Sequence, residues 1–217
     1  MAITFVKIFL NHIDTYQQLV AAIKNSTLLE WTAVMAGIAS VWFSKKESVL
    51  VYPVGLINTI IYTWISFQYH LPGEATVNFY YTVMSLYGWY MWMKKTNQQE
   101  RYIKIEYSNK KFWIAQLLFF IAIYAVLYFS LQYLKEQFFE GAIPWADAFA
   151  SATAFTGMWL MTRKKVESWY WWIATNISSI PLYFVKGLPL TSLYYTVLLV
   201  LAVLGLLSWI KKATNHA

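Results

Sequence analysis

Residues 112–131 read FWIAQLLFFIAIYAVLYFSL, without one charged side chain from Phe112 to Leu131. A run of about 20 apolar residues, coiled as a helix, is long enough to cross the ~30 Å hydrocarbon core of a bilayer. Working outward in both directions, the same criterion predicts six more spans. Before it come Leu28–Ser44, Val49–Tyr69 and Thr76–Met93; after it come Trp145–Met161, Trp169–Val185 and Leu190–Ile210. With the central span extended to Phe112–Leu134, the chain reads as an all-α integral membrane protein of seven transmembrane helices. The loops left over are too short for a soluble domain.

Composition agrees. Of 217 residues, 59% are hydrophobic, 20% aromatic and only 12% charged, against roughly 45–50% apolar and 25% charged in soluble domains. Disorder is excluded, because it requires low hydrophobicity and high charge. With no cysteine, a disulfide framework, a thiol nucleophile and a cysteine metal site are excluded too. The surplus of 17 Lys and Arg over 10 Asp and Glu could suit nucleic acid. These basic residues flank apolar runs, however, and that arrangement suits a membrane surface with no nucleic-acid partner.

The first 27 residues differ from the rest. Ile3, Phe5, Phe9, Leu10, Ile13, Leu19 and Ile23 alternate with Lys7, Asn11, Asp14, Gln17 and Lys24. This pattern predicts an amphipathic helix lying in the interface. Orientation follows from basic residues: 13 fall on the side of the Lys45, Lys94, Arg163 and Lys211 loops, and 4 (Lys7, Lys24, Lys135, Lys186) on the other. The richer side is expected to be cytoplasmic. The N-terminus is then outside and the C-terminus in the cytoplasm.

The chain matches itself at an offset of 117. Glu30 and Trp42 align with Asp147 and Trp159; Gly88, Trp92, Lys94 and Lys95 align with Gly205, Trp209, Lys211 and Lys212. Asn58 aligns with Asn176 after one inserted residue. The expected organisation is a three-helix repeat over 28–95, a basic connection and linker helix over 96–144, a second three-helix repeat over 145–212, and a short tail over 213–217. Three helices reverse the direction of the chain and a fourth restores it. The two repeats therefore run parallel, as in transporters whose substrate lies near the midplane between halves.

Enzyme chemistry finds no constellation. The three histidines, His12, His70 and His216, are scattered, so no metal site is expected, and no cofactor. Glu30 and Asp147 lie at the predicted starts of their helices, where an acid complements the helix dipole. With no acid at mid-depth, passive passage is expected rather than ion-coupled pumping. The polar groups at depth are amides. Asn58, Asn176 and, in the third helix, Asn78 must face the bundle interior, because an unpaired amide in hydrocarbon is costly. Trp169, Trp172, Asn176 and Tyr183, separated by 3, 4 and 7 residues, share one helical face, and Tyr62 lies a turn after Asn58. Such a set could hold a flat ring by stacking, including a cationic one. Pro181 frees a backbone carbonyl in the same helix.

These residues carry a resemblance. The string from Asp147 through Leu160, Arg163, Lys164, Glu167, Trp169, Trp172, Asn176, Tyr183, Lys186, Gly187, Thr191, Tyr194, Gly205 and Trp209 resembles the PnuC family of bacterial nicotinamide riboside transporters. Trp42, Gly55, Asn58, Tyr62 and the run Tyr87-Gly88-Trp89-Tyr90 with Trp92 are similar to the same family in the first half. The resemblance implies a SWEET-like 3+1+3 fold and facilitated uptake of nicotinamide riboside, a precursor of NAD. A separate cytoplasmic kinase would trap the riboside. The pyridinium ring would stack on Trp or Tyr, while ribose hydroxyls would bond Asn58 and Asn176. Met158 and Asn78 stand where the resemblance would place glutamine. Another B vitamin, a sugar, and a non-transporting scaffold remain open readings. For assembly the working expectation is a homo-oligomer, a trimer. The expected partners otherwise are the small-molecule substrate and membrane lipid.

Overall fold

The computed structural model describes residues 17–68, 72–95, 103–138 and 143–214. Eight helices account for nearly all of it: α1 (Gln17–Asn25), α2 (Leu28–Lys45), α3 (Val51–Gln68), α4 (Pro72–Met93), α5 (Lys110–Phe138), α6 (Pro144–Thr162), α7 (Ser168–Val185) and α8 (Pro189–Thr214). Three of them start on a proline. Its missing N–H is an orphan at that position anyway, and its fixed φ suits the first turn. α2 starts on a capping box, in which Thr27 N donates to Glu30 Oε2 at 2.6 Å and Glu30 N to Thr27 Oγ1 at 3.2 Å. Asp147, 117 residues on, gives α6 one half of this arrangement, accepting from Ile143 N at 2.7 Å. Both acids thus serve helix starts. The amphipathic segment predicted at the N-terminus falls largely outside the described residues. Its described end, α1, meets α2 at 104°.

Among the described residues two helices, α8 and the Lys110–Leu134 part of α5, are long and apolar enough to cross a membrane by length and composition alone, or three if α1 and α2 form one bent span. Seven such runs were expected. α2, α3, α6 and α7 are only 18 or 19 residues long, and α6 and α7 turn Thr153, Thr156, Ser168, Thr175, Asn176 and Ser179 inward. Their polarity sits inside the bundle, which lowers an overall hydropathy without wetting the outer face.

The packing order is circular. α2 lies against α3, α3 against α4, α4 against α6, α6 against α7, α7 against α8, and α8 against α2. α5 lies outside this ring on α6, with Leu118, Ile121, Val126 and Phe129 exposed. Gln116 of α5, fully buried, accepts a hydrogen bond from Trp171 Nε1 at 2.8 Å.

The C-terminal ends of α2, α4, α6 and α8 meet, and there relationships recur at a separation of 117. Trp92 Nε1 donates to Met161 O at 3.2 Å, and Trp209 Nε1 to Ser44 O at 3.0 Å. The Tyr52 ring fills the space beside Gly88, and the Trp169 ring the space beside Gly205. Glu47 and Lys164 both have left-handed backbone, φ 60° and 51°. Each ends its helix in a Schellman turn, closed by Ser48 N to Phe43 O and by Lys165 N to Leu160 O. This position usually belongs to glycine. Here the two side chains pair across the halves, Lys164 Nζ to Glu47 Oε1 at 2.7 Å. Tyr52, Trp92, Ile105, Met161, Val166, Trp169, Ala202 and Trp209 form the core of this end.

The connection before α5 is strapped to it. Glu106 N donates to Lys164 O and Val166 N to Glu106 O, at 3.3 and 3.1 Å. The buried Glu167 carboxylate accepts from Ser108 N and Oγ, both at 2.9 Å. These bonds seat Ile105 in the core.

A candidate solute cleft between the two halves

Towards the middle of the ring the packing changes from tryptophan to tyrosine. Tyr81 of α4 and Tyr194 of α8 stand deep in the bundle, surrounded by protein, yet both keep accessible area. The area that these two rings keep accessible marks the candidate cleft. Tyr81 lies within electrostatic reach of Tyr80, Tyr194 and Tyr195, and Tyr194 within reach of Tyr62. Tyr80 is anchored on α6, stacked on Phe155 with ring centroids 4.1 Å apart and donating to Phe155 O at 3.1 Å.

Trp172 closes one side. Its indole packs against Gly157 of α6, where a Cβ would come within 3.3 Å of the ring, and its centroid lies 6.2 Å from that of Tyr81. One turn on, Asn176 is 3% exposed, and among the described residues its amide makes no hydrogen bond. Further along α7, Tyr183 stacks on Tyr195 with centroids 5.2 Å apart and planes 10° from parallel. Lys186 stands 5.9 Å from the Tyr183 ring and pairs with Asp147 Oδ1 at 2.5 Å.

In the first half, Asn58 donates from Nδ2 to Ala33 O at 2.7 Å. Asn78 is half-buried; its backbone carbonyl accepts from Thr82 Oγ1 at 3.0 Å, and Thr82 Oγ1 meets Thr59 Oγ1 across α3 and α4 at 2.9 Å. Of the sequence-derived candidates, Asn58, Tyr62, Trp172, Asn176 and Tyr183 are thus half-buried or buried around the tyrosines. Trp169 is not with them. It is 1% exposed, packed edge-on to Trp209 with centroids 5.5 Å apart, in the core of the cytoplasm-facing end as read from the sequence. It has no face to offer a solute, because the gap at Gly205 takes its ring.

Tyr80, Tyr81 and Tyr195 escaped the sequence reading, and Tyr194 entered it only through the family resemblance and not as a site candidate, although a signal was present. Tyr-Tyr-Thr-Val occurs at 80–83 and again at 194–197. Its offset, 114, is three short of the repeat, so the match is invisible at 117.

The chemistry available is stacking surface, two amides and phenolic hydroxyls. Among the described residues the charged side chains lie at helix ends or in the connections, and no three His, Asp or Glu side chains are grouped to hold a metal ion. The cleft suits a flat, uncharged or cationic ring bearing hydroxyl groups.

The model of the nicotinamide mononucleotide transporter family matches residues 27–211. The chain belongs to this family. Among its relatives, the nicotinamide riboside transporter PnuC of Escherichia coli (strain K12) is 26% identical over 208 residues, covering 87% of each chain. PnuC of Neisseria mucosa is 27% identical over 209 residues, covering 93% of this chain and 79% of its own. The riboflavin/roseoflavin transporter RibM of Streptomyces davaonensis is 22% identical over 177 residues, 80% of each. The crystal structure of the vitamin B3 transporter PnuC superposes with a TM-score of 0.70 at 25% identity, covering 94% of this chain and 90% of that one. Family membership and the apolar helices make this a multi-pass membrane protein of a transporter family.

Proposed function

We propose that this protein carries nicotinamide riboside through the inner membrane by facilitated diffusion. Seven spans in a 3+1+3 SWEET-like arrangement would rock as two halves, with the N-terminus outside, the C-terminus in the cytoplasm and residues 1–27 along the interface. A separate kinase would trap the riboside inside. The observation that carries the reading is Asn176, a residue only 3% exposed whose amide makes no hydrogen bond among the described residues, one turn from the Trp172 indole. A buried amide left unpaired costs about 1–3 kcal/mol, and a solute hydroxyl or carboxamide removes that cost. Trp172 and Tyr81 would flank the ring, Tyr183, about three turns further along α7, would line the path beyond it, and Asn58, Tyr62 and Asn78 would meet the ribose. Trp169 is assigned to packing. Riboside is favoured over the mononucleotide, since the described Lys and Arg side chains stand at helix ends or in the connections, away from any phosphate in the cleft.

Calorimetry on purified protein tests this, with nicotinamide riboside, nicotinamide mononucleotide, riboflavin, thiamine and glucose as titrants. Riboside binding that Asn176→Ala abolishes is the expected result. The likeness to RibM favours riboflavin as the second reading. Riboflavin binding without riboside binding would move the assignment there, and silence from all five would sink the transporter reading.

A further inference from the structure

Over Gly37 the two halves approach more closely than side chains normally allow. A Cβ at position 37 would lie 2.2 Å from the Tyr194 hydroxyl oxygen and 2.9 Å from Asn58 Nδ2. Gly37 belongs to α2 and Tyr194 to α8, so the hydroxyl reaches from one half over the bare backbone of the other. Asn58 is held there by its bond to Ala33 O, one turn before Gly37. The Tyr194 ring is braced by Tyr195, with centroids 5.7 Å apart. Its hydroxyl makes no hydrogen bond among the described residues, and the ring keeps accessible area. A phenol fixed by packing, beside an amide and without a partner of its own, is a hydrogen-bonding group placed for something that is not protein.

Resting on the transport reading, we infer that Tyr194 is a specificity-determining residue whose hydroxyl bonds the sugar part of the solute, and that Gly37 is the positioning residue that sets its depth. Trp172 and Asn176 hold the ring end, on the second half. Tyr194 and Asn58 hold the hydroxyl-bearing end, over Gly37. A side chain at position 37 drives the rigid phenol into the cleft, because tyrosine relieves the overlap only by swinging its whole ring.

The test is a cycle of Gly37→Ala, Tyr194→Phe and the double variant, titrated with nicotinamide riboside, riboflavin, thiamine and glucose, with a melting temperature for each protein. Tyr194→Phe is expected to weaken riboside binding about tenfold, as the loss of one hydrogen bond to a solute does, at an unchanged melting temperature. Gly37→Ala is expected to weaken it further. The double variant should fall between Gly37→Ala and Tyr194→Phe, because removing the hydroxyl removes the atom that a Cβ meets first while Asn58 Nδ2, at 2.9 Å, remains in its way. Should Gly37→Ala fail to fold, Tyr194→Phe decides alone. Unchanged affinity and selectivity in Tyr194→Phe would overturn the inference while leaving the transporter reading intact. If the unsubstituted protein binds none of the four solutes, the transporter reading fails first and this inference with it.

Discussion

Ser44 and Met161, 117 residues apart, touch: the serine hydroxyl donates to the Met161 sulfur at 3.0 Å. Around this contact Trp92 donates to the Met161 carbonyl and Trp209 to the Ser44 carbonyl. Each half thus gives an indole from its third helix to the first helix of the other. A contact between a residue and its own counterpart lies on the axis that relates the halves. Any rocking that opens this end must part these two side chains.

Locking that pair should therefore stop transport. The chain has no cysteine, so Ser44→Cys with Met161→Cys introduces a lone pair of thiols. Oxidation is expected to abolish riboside uptake into proteoliposomes, and a reductant to restore it. Undiminished uptake by the oxidised protein would make this end the pivot and place the moving gate elsewhere.

The ion pair above the axis contributes to stability by a separate route. Lys164 is 1% exposed and its ammonium lies 4.7 Å from the Trp92 ring centroid. Removing the Glu47 charge leaves that cation in a poorly hydrated place. Breaking a fully buried pair costs about 3–5 kcal/mol. Glu47 keeps 16% of its side-chain area, so Glu47→Gln is expected to cost less, about 2 kcal/mol. Thermal unfolding in detergent would read this as a lowered melting temperature, and an unchanged one would show the pair to be worth nothing.

Glycine replacements should divide by position. At Gly205 and Gly88 a Cβ would come within 2.4 Å of the Trp169 and Tyr52 rings, whereas at Gly55 the nearest atom is Ser40 Cβ at 3.6 Å. Overpacking of a filled site costs about 1–3 kcal/mol, while alanine in an open helical site gains up to ~1 kcal/mol. Gly205→Ala and Gly88→Ala are expected to lower the melting temperature to similar extents, and Gly55→Ala to hold or raise it. Equal effects at all three sites would remove the packing argument.

Much of this was legible in the chain and some could not be. The helices stand where the apolar runs place them, because a helix needs only local information. The blocks at Gly88–Trp92 and Gly205–Trp209 have one spacing, so the matched ends of the halves were visible. Trp169 shares a helical face with Trp172 and Asn176, but the side it serves depends on a gap at Gly205 in another helix. Ile105 sits in a polar, basic stretch and is buried only because Glu106 pairs with Lys164 and Val166. The central tyrosines were hidden by a slip of three residues between the halves.

The last prediction separates the two repeat-related amides. Asn58 holds the Ala33 carbonyl, whereas the amide of Asn176 makes no hydrogen bond among the described residues and is 3% exposed. Asn58→Ala should then cost about 1 kcal/mol of stability, the usual worth of one intramolecular hydrogen bond. Asn176→Ala removes a buried group that gains nothing from the protein, so stability should hold or rise while riboside affinity falls by roughly tenfold or more. Paired melting curves and titrations on both variants give the two quantities separately. A drop in stability for Asn176→Ala equal to that for Asn58→Ala would mean that the amide is bonded within the protein after all, and the solute would lose its anchor in the second half.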